Sequence, residues 1–112
     1  MKHLTYADKS LLIGDDTADL LLEYAAALAT GHAGDTVTLN AISSDGDEVE
    51  ATLLLGQGAP VMAETSTTKA PEPDNTDANR YLRGEITGLR LRDLPLLKDN
   101  IDAAVLGDGD WD

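Results

Sequence analysis

Two runs of alternating apolar and polar residues restrict the fold of this chain more than any other feature. In residues 36–41 and again in residues 48–55 every second side chain is apolar: Val37, Leu39 and Ala41 in the first run, and Val49, Ala51, Leu53 and Leu55 in the second. Alternation with a period of two is typical of a strand that buries one of its faces. The two runs therefore predict neighbouring strands whose apolar sides cover one core.

The loop between these strands fixes how they pair. A two-residue turn at Asp45-Gly46 would place Ala41 opposite Glu50, which mixes a buried face with an exposed one. A three-residue loop, Ser44–Gly46, pairs Ala41 with Val49 instead and leaves its glycine free to adopt the left-handed conformation that such loops need. We therefore predict the three-residue loop.

The remaining elements follow from the same periodicities and from turn and capping residues. They are strands Lys2 to Tyr6 and Ser10 to Ile13, a helix from Thr17 to Thr30 capped within residues 14–17 and closed by Gly31, an edge strand within residues 60–67, and a second helix from Asp77 to Leu91. The order β-β-α-β-β-β-α predicts a single α+β domain over residues 1–92, with an antiparallel sheet of about five strands and both helices on one face. Residues 93–112 are predicted to form an acidic, mobile tail.

The charge of the chain excludes several kinds of partner. Asp and Glu number 21 against 8 Lys and Arg, which gives a net charge of −13. Such a surface repels nucleic acid and anionic membranes, so neither is an expected partner. The chain has no cysteine, which excludes disulfides and thiolate metal sites. Since it also lacks a signal-like N-terminus and any apolar run of about eighteen residues, a cytoplasmic location is predicted.

The candidate chemistries of the sequence have simpler structural explanations. Asp15 and Asp16 resemble a metal-binding acidic pair, but their position favours the first turn of a helix. Residues 45–48 and 108–110 resemble pieces of calcium loops without the complete ligand spacing, and His3 and His32 lack the spacing of a zinc site. The sequence therefore identifies no catalytic, cofactor-binding or metal-binding residue, and no cofactor is expected.

Two helical surfaces are candidate interaction sites. Arg80, Arg83 and Arg90 recur at a spacing that keeps them near one side of the second helix, which predicts a docking face for an acidic partner. The alternative is that these arginines pair loosely with the acidic sheet or tail of the protein itself. The first helix carries a second apolar stripe, Leu20, Tyr24 and Ala27, which needs either the second helix or another subunit.

One segment carries a resemblance. The run from Ser10 to Ala25, SLLIGDDTADLLLEYA, together with the abundance of Ala, Asp and Leu and the lack of Cys and Phe, is similar to small acidic uncharacterised proteins of high-GC Gram-positive bacteria. This resemblance implies no catalytic or binding residue.

The sequence leaves three functions open. The first is a non-catalytic protein-interaction or self-associating module, which would act as a homodimer or with a protein partner. The second is a small-molecule-binding protein or minor enzyme of α+β type that uses the sheet edge and the turn at residues 56–59 as a pocket. The third is an acidic charge mimic that binds a basic protein surface.

Overall fold

A computed structural model describes residues 1–56, 58 and 60–93, without the side chains of residues 92 and 93. Its elements are β1 (Lys2–Tyr6), β2 (Lys9–Ile13), α1 (Asp15–Thr30), β3 (Gly34–Ile42), β4 (Glu48–Gly56), β5 (Val61–Thr65) and α2 (Thr76–Asp93). The five strands form one antiparallel sheet in the order β4-β3-β2-β1-β5. This confirms the predicted α+β class, strand number and element order. The predicted tail, apart from Asp93, lies outside the described residues.

The core lies between one face of the sheet and the two helices. Leu4 on β1 pairs with Leu11 on β2 and with Ala63 on β5, so these side chains share the face that the helices cover. The fully or almost fully buried side chains come from both layers: Leu4, Ile13, Val37, Leu39, Ala41, Leu53 and Leu55 from the sheet, and Ala18, Leu21, Tyr24, Leu28, Leu82 and Ile86 from the helices. Burial of this apolar surface is the main term that holds the helices on the sheet.

The β3–β4 hairpin has the predicted register. Ala41 pairs with Val49, and the loop closes through a hydrogen bond of 2.8 Å from the Ser43 amide to the Asp47 carbonyl oxygen. Gly46 has a φ of 94°, in the region that favours glycine. Period-two alternation was sufficient to select this pairing because a shift by one residue would have exposed every buried side chain of one strand.

The start of α1 differs from the prediction. The helix begins at Asp15, two residues before the expected Thr17, and its N-cap residue is Gly14, which has no side chain to accept a hydrogen bond. The Thr17 hydroxyl instead donates to Asn79 Oδ1 on α2 at 2.7 Å. The Glu72 carboxylate occupies the space where a Cβ on residue 14 would stand. The expected side-chain cap is therefore wrong: the residue before α1 is a glycine, and the Glu72 carboxylate lies beside it.

The end of α1 has the expected position but an unexpected backbone conformation. The helix ends at Thr30 and Gly31 is its C-cap, as expected, but the residue in the left-handed conformation is the next one, His32, with a φ of 55°. The His32 amide donates to the Ala29 carbonyl and the Ala33 amide donates to the Leu28 carbonyl, which is the hydrogen-bond pattern of a Schellman motif. In this motif the left-handed position is usually glycine, so the imidazole-bearing residue adds backbone strain.

Replacement of His32 with Gly should therefore stabilise the protein by about 1 kcal/mol, because glycine adopts the left-handed conformation without a steric penalty. Urea denaturation followed by circular dichroism measures the change. The control is His32→Ala, which also removes the imidazole but keeps the Cβ and should bring no comparable gain. Equal stabilisation by both variants would contradict an origin in backbone strain.

Asn75 continues the sheet where β2 ends. β2 pairs with β3 at Leu12 and Ile42, after which the chain turns into α1. Two residues before Ile42 on β3, the Asn40 amide donates to Asn75 Oδ1 at 2.7 Å, and Asn75 Nδ2 donates to the Asn40 carbonyl at 2.7 Å. The buried side-chain amide of Asn75 thus takes the place of a strand peptide group. This pairing anchors the start of α2 against the sheet.

The sheet is strongly curled. The Tyr6 hydroxyl on β1 donates a hydrogen bond to the carbonyl oxygen of Leu54 on β4. β2 and β3 lie between these strands in the sheet, so in a flat sheet β1 and β4 would be roughly 14 Å apart. A tyrosine side chain spans this interval only because the helix-side face of the sheet is concave.

Candidate functional site

A tyrosine–aspartate cluster joins both helices to the sheet. Asp35 Oδ2 on β3 accepts a hydrogen bond from the Tyr24 hydroxyl on α1 at 2.7 Å and another from the Tyr81 hydroxyl on α2. The two rings pack edge to face, with centroids 6.4 Å apart. The donors of Tyr81 and Tyr24 hold the pKa of the Asp35 carboxyl below its usual range.

The same contacts make the tyrosines poor catalytic groups. Burial, reinforced by the Asp35 carboxylate, raises the pKa of Tyr24, and the hydrogen bond to Asp35 raises the pKa of Tyr81. A phenol that keeps its proton and already donates it to a carboxylate is neither a base nor a nucleophile at neutral pH. We therefore interpret the cluster as a structural joint between α1, α2 and β3.

The predicted self-association stripe lies on the side of α1 that faces α2. Tyr24 is 2% exposed and its ring packs edge to face against that of Tyr81, whereas Leu20 and Ala27 are half-buried. The neighbouring Glu23 side chain bonds to Arg90 of α2. The sequence indicated that either the second helix or another subunit covers this stripe. Within the chain, α2 covers it. Self-association through these residues stays a prediction.

The three predicted docking arginines are exposed, as expected, and each has an acidic neighbour. Arg80 Nη1 lies 3.1 Å from Asp77 Oδ1 on the same helix, Arg83 Nη2 lies 4.0 Å from Asp16 Oδ2 on α1, and Arg90 pairs with Glu23 on α1. Among the described residues, these partners are therefore on the helices and not on the sheet. Each exposed pair contributes less than about 1 kcal/mol, but together they neutralise the local positive charge. A docking role for this face stays a prediction.

Several acidic groups outside these pairs lie on the opposite side of the sheet. By strand alternation Glu48 and Glu50 on β4 and Glu64 on β5 point away from the helices. All five ion pairs found within the described part of the chain use acids of α1 or α2. The outer face of the sheet therefore carries negative charge without local compensation from those pairs.

A groove runs between this outer face and the connector that leads from β5 to α2. Its volume is about 770 Å³. The floor contains the half-buried side chains of His3, Leu12 and Ile42, and carboxylates stand at its borders: Glu48 on the sheet, and Glu72 and Asp74 on the connector. We call this the outer groove. The floor is apolar except for the imidazole of His3, and the walls are acidic.

Two features hold the connector wall of the outer groove in place. Pro73 is buried, and Asn40 Nδ2 donates to the carbonyl oxygen of Asp74 at 2.9 Å. The Thr76 hydroxyl and amide donate to the Asp74 carboxylate, and these bonds lower the pKa of Asp74. Its negative charge is therefore fixed at neutral pH. A smaller depression of about 230 Å³ shares Asp74 and continues past Glu50.

The other sequence candidates are dispersed. His3 lines the outer groove, whereas His32 is exposed at the end of α1. The Asp45 carboxylate accepts bonds from the Ser43 hydroxyl and the Asp47 amide, which is a turn and not a calcium loop. Residues 108–110 lie outside the described residues, as does part of the turn at residues 56–59 that was expected to form a pocket.

The described part of the chain contains neither a cluster of metal-binding side chains nor a membrane-crossing helix. Within residues 1–56, 58 and 60–93, three or more side chains of the metal-binding types do not converge. None of the helices described is both long enough and apolar enough to cross a membrane.

The groove residues of the connector were not identified from the sequence. In the sequence, the prolines and threonines of residues 66–75 indicate only an exposed connector, and Glu72 carries no pattern of its own. The available signal was the Pro-Glu-Pro-Asp run at residues 71–74, since prolines that flank acids present them on a stiff segment.

Comparison with known proteins identifies no relative: the chain matches no protein-family model, no curated protein and no solved structure. Only the surfaces of this fold therefore indicate what the protein does.

Proposed function

We propose that this protein is a non-catalytic interaction module that binds a basic, extended segment of another protein in the outer groove. The observation that carries the proposal is the separation of charge: the arginines of α2 are paired with acids of the helices, whereas Glu48, Glu72 and Asp74 surround an apolar floor without a basic partner among the ion pairs of the described residues. A basic partner supplies the missing charge.

The shape and the chemistry of the groove favour an extended segment with both lysine or arginine and apolar side chains. The half-buried Leu12 and Ile42 offer a surface for aliphatic stems or small apolar side chains. The carboxylates of Glu48 and Glu72 stand on different walls, so a segment between them can meet both. The net charge of −13 attracts such a segment from a distance and accelerates its association.

The proposal is tested with a fluorescein-labelled peptide of alternating lysine and threonine, whose binding is followed by fluorescence anisotropy over a salt titration. The variant E48Q/E72Q removes two charges from the groove and keeps the side-chain shapes. It should bind at least about fivefold more weakly than the original protein at low salt, with a smaller salt dependence.

The control variant D8N/E85Q removes two charges from exposed positions outside the outer groove. It should weaken binding less than about twofold, since only the long-range attraction is reduced. Equal losses of affinity in the two variants would mean that the net charge attracts the peptide non-specifically, and would refute the outer groove as the binding site. Failure of the original protein to bind the peptide at low salt would refute the proposal as well.

A further inference from the structure

A second cavity lies on the other face of the sheet, inside its curl. Its volume is about 570 Å³. Its apolar wall consists of side chains from three strands of the concave face: Tyr6, Leu11, Val49, Ala51 and Leu53. No residue of α1 or α2 lines it, so it occupies the part of the concave face that the helices leave uncovered. We call it the inner pocket.

The curl of the sheet creates the inner pocket. The Tyr6 side chain reaches from β1 to the backbone of β4 and forms one wall. Opposite it, Ala51 stands between the larger Val49 and Leu53 on the same face of β4, and this small side chain leaves space. Tyr6, Leu11 and Val49 are half-buried and pack against the core cluster on one side. The pocket is thus built on rigid strands and not on loops alone.

The polar groups of the inner pocket are largely used within the protein. The Tyr6 hydroxyl donates to Leu54 and the Ser43 hydroxyl donates to Asp45. The Thr52 side chain points to the other face of the sheet, where its hydroxyl pairs with that of Thr38 at 2.9 Å. Ligand pockets are usually apolar with few polar groups, and volumes of about 300–1,000 Å³ suit small molecules. The interior therefore favours hydrocarbon over polar groups.

The rim of the inner pocket selects against anions. One acid and one base, Asp8 and Lys9, stand next to each other at its mouth, and their charges offset one another. In the adjacent loop, hydrogen bonds from the Ser43 hydroxyl and the Asp47 amide lower the pKa of the Asp45 carboxyl, and the charge of Lys9 adds to this effect. With the whole chain at −13, the field at the mouth repels a negatively charged head group.

From this pocket we infer a binding site for a small, largely apolar molecule without negative charge, such as a medium-chain alcohol. Its hydrocarbon part lies against Leu11, Val49 and Leu53, and its polar end lies at the rim beside Lys9. This site is on the opposite face of the sheet from the outer groove, so occupancy of one leaves the other accessible.

The test uses the full chain, the neutral fluorescent probe 1-aminoanthracene and its displacement by 1-decanol. We expect the probe to gain fluorescence on binding and 1-decanol to displace it, whereas decanoate should displace it at concentrations at least about tenfold higher. Decanoate that competes as well as 1-decanol would refute the selection against anions. The absence of probe binding and of any response to 1-decanol would refute the site.

A pair of matched variants locates the binding. Ala51→Phe fills the inner pocket and should weaken 1-decanol binding at least about tenfold. Ala26→Phe makes the same change at an exposed position on α1 and should change it less than about twofold. Equal affinity of the two variants would place binding outside the inner pocket.

An NMR titration of the unaltered chain gives the same information without a substitution. Addition of 1-decanol should shift the methyl resonances of Leu11, Val49 and Leu53 and leave those of Leu82 and Ile86 in the helix layer almost unchanged. Shifts confined to Leu12 and Ile42 would place the ligand in the outer groove and overturn the inference.

Discussion

Replacement of Asp35 with Ala should lower the free energy of unfolding by about 3 kcal/mol, as measured by urea denaturation. The carboxylate is the shared acceptor for the hydroxyls of Tyr24 and Tyr81, and the Tyr24 residue is 2% exposed. Without Asp35 a buried hydroxyl loses its partner, which costs more than the bond itself contributes. A loss of this size would remove a large part of the stability of a small domain.

Two further variants identify the cause of this loss. Asp45→Ala removes an exposed carboxylate that also accepts two hydrogen bonds, and it should cost clearly less than Asp35→Ala because water replaces the lost partner. Tyr24→Phe in the Asp35→Ala background should recover part of the loss, since the orphaned hydroxyl is gone. No difference between Asp35→Ala and Asp45→Ala would contradict the assigned role of the cluster.

The pH dependence of stability gives an independent readout of the same variant. The folded-state pKa of Asp35 is lowered, so its contribution is present above the unfolded pKa, about 4, and is lost as the pH falls through the folded value. The folded-state pKa values of Tyr24 and Tyr81 are raised, so their contribution is present below about pH 10 and is lost as the pH rises above it. Asp35→Ala should therefore be less sensitive to pH than the original protein at both extremes.

Replacement of Gly56 with Ala should cost more than about 3 kcal/mol, the largest effect of a single methyl group in this chain. Gly56 has a φ of 86°, and a Cβ at this position would collide with the carbonyl oxygen of Ala33 and lie 3.2 Å from Gly34 Cα. Both neighbours are backbone atoms at the start of β3, so they cannot move without breaking the pairing of Gly34 with Gly56. Thermal unfolding measures the effect.

Gly58→Ala is the matched control. Gly58 has a similar φ of 79°, but a Cβ there meets no atom within 4 Å. This variant should show only the strain of the left-handed conformation, about 1 kcal/mol, and the difference between the two variants isolates the collision. Similar losses at both positions would show that backbone conformation alone accounts for the effect.

The features predicted correctly from the sequence are those that depend on neighbours along the chain. The β3–β4 register follows from alternation, and Gly46 has the conformation that its loop requires. The exposed side of α2 was also predicted: Arg80, Arg83 and Arg90 are all exposed. In each case periodicity or turn chemistry within a few residues contains the information.

The features missed depend on groups that are distant in sequence. Glu72, from the distant connector, places its carboxylate beside Gly14 at the start of α1. The side-chain amide of Asn75 forms two hydrogen bonds with the backbone of Asn40, although an asparagine before a helix normally caps that helix. The outer groove and the inner pocket arise from the path of the connector and from the curl of the sheet, and neither leaves a periodic signal.

The position of β5 in the sheet has a consequence for the order in which this chain acquires its structure. β1 lies between β2 and β5 in the sheet. Its hairpin with β2 is local because the two strands are adjacent in sequence, whereas the pairing of Leu4 with Ala63 closes a long loop of chain. During synthesis, one edge of β1 remains open until β5 has emerged from the ribosome. An open edge is a template for pairing between nascent chains. The repulsion between copies that each carry a net charge of −13 opposes such pairing during this interval.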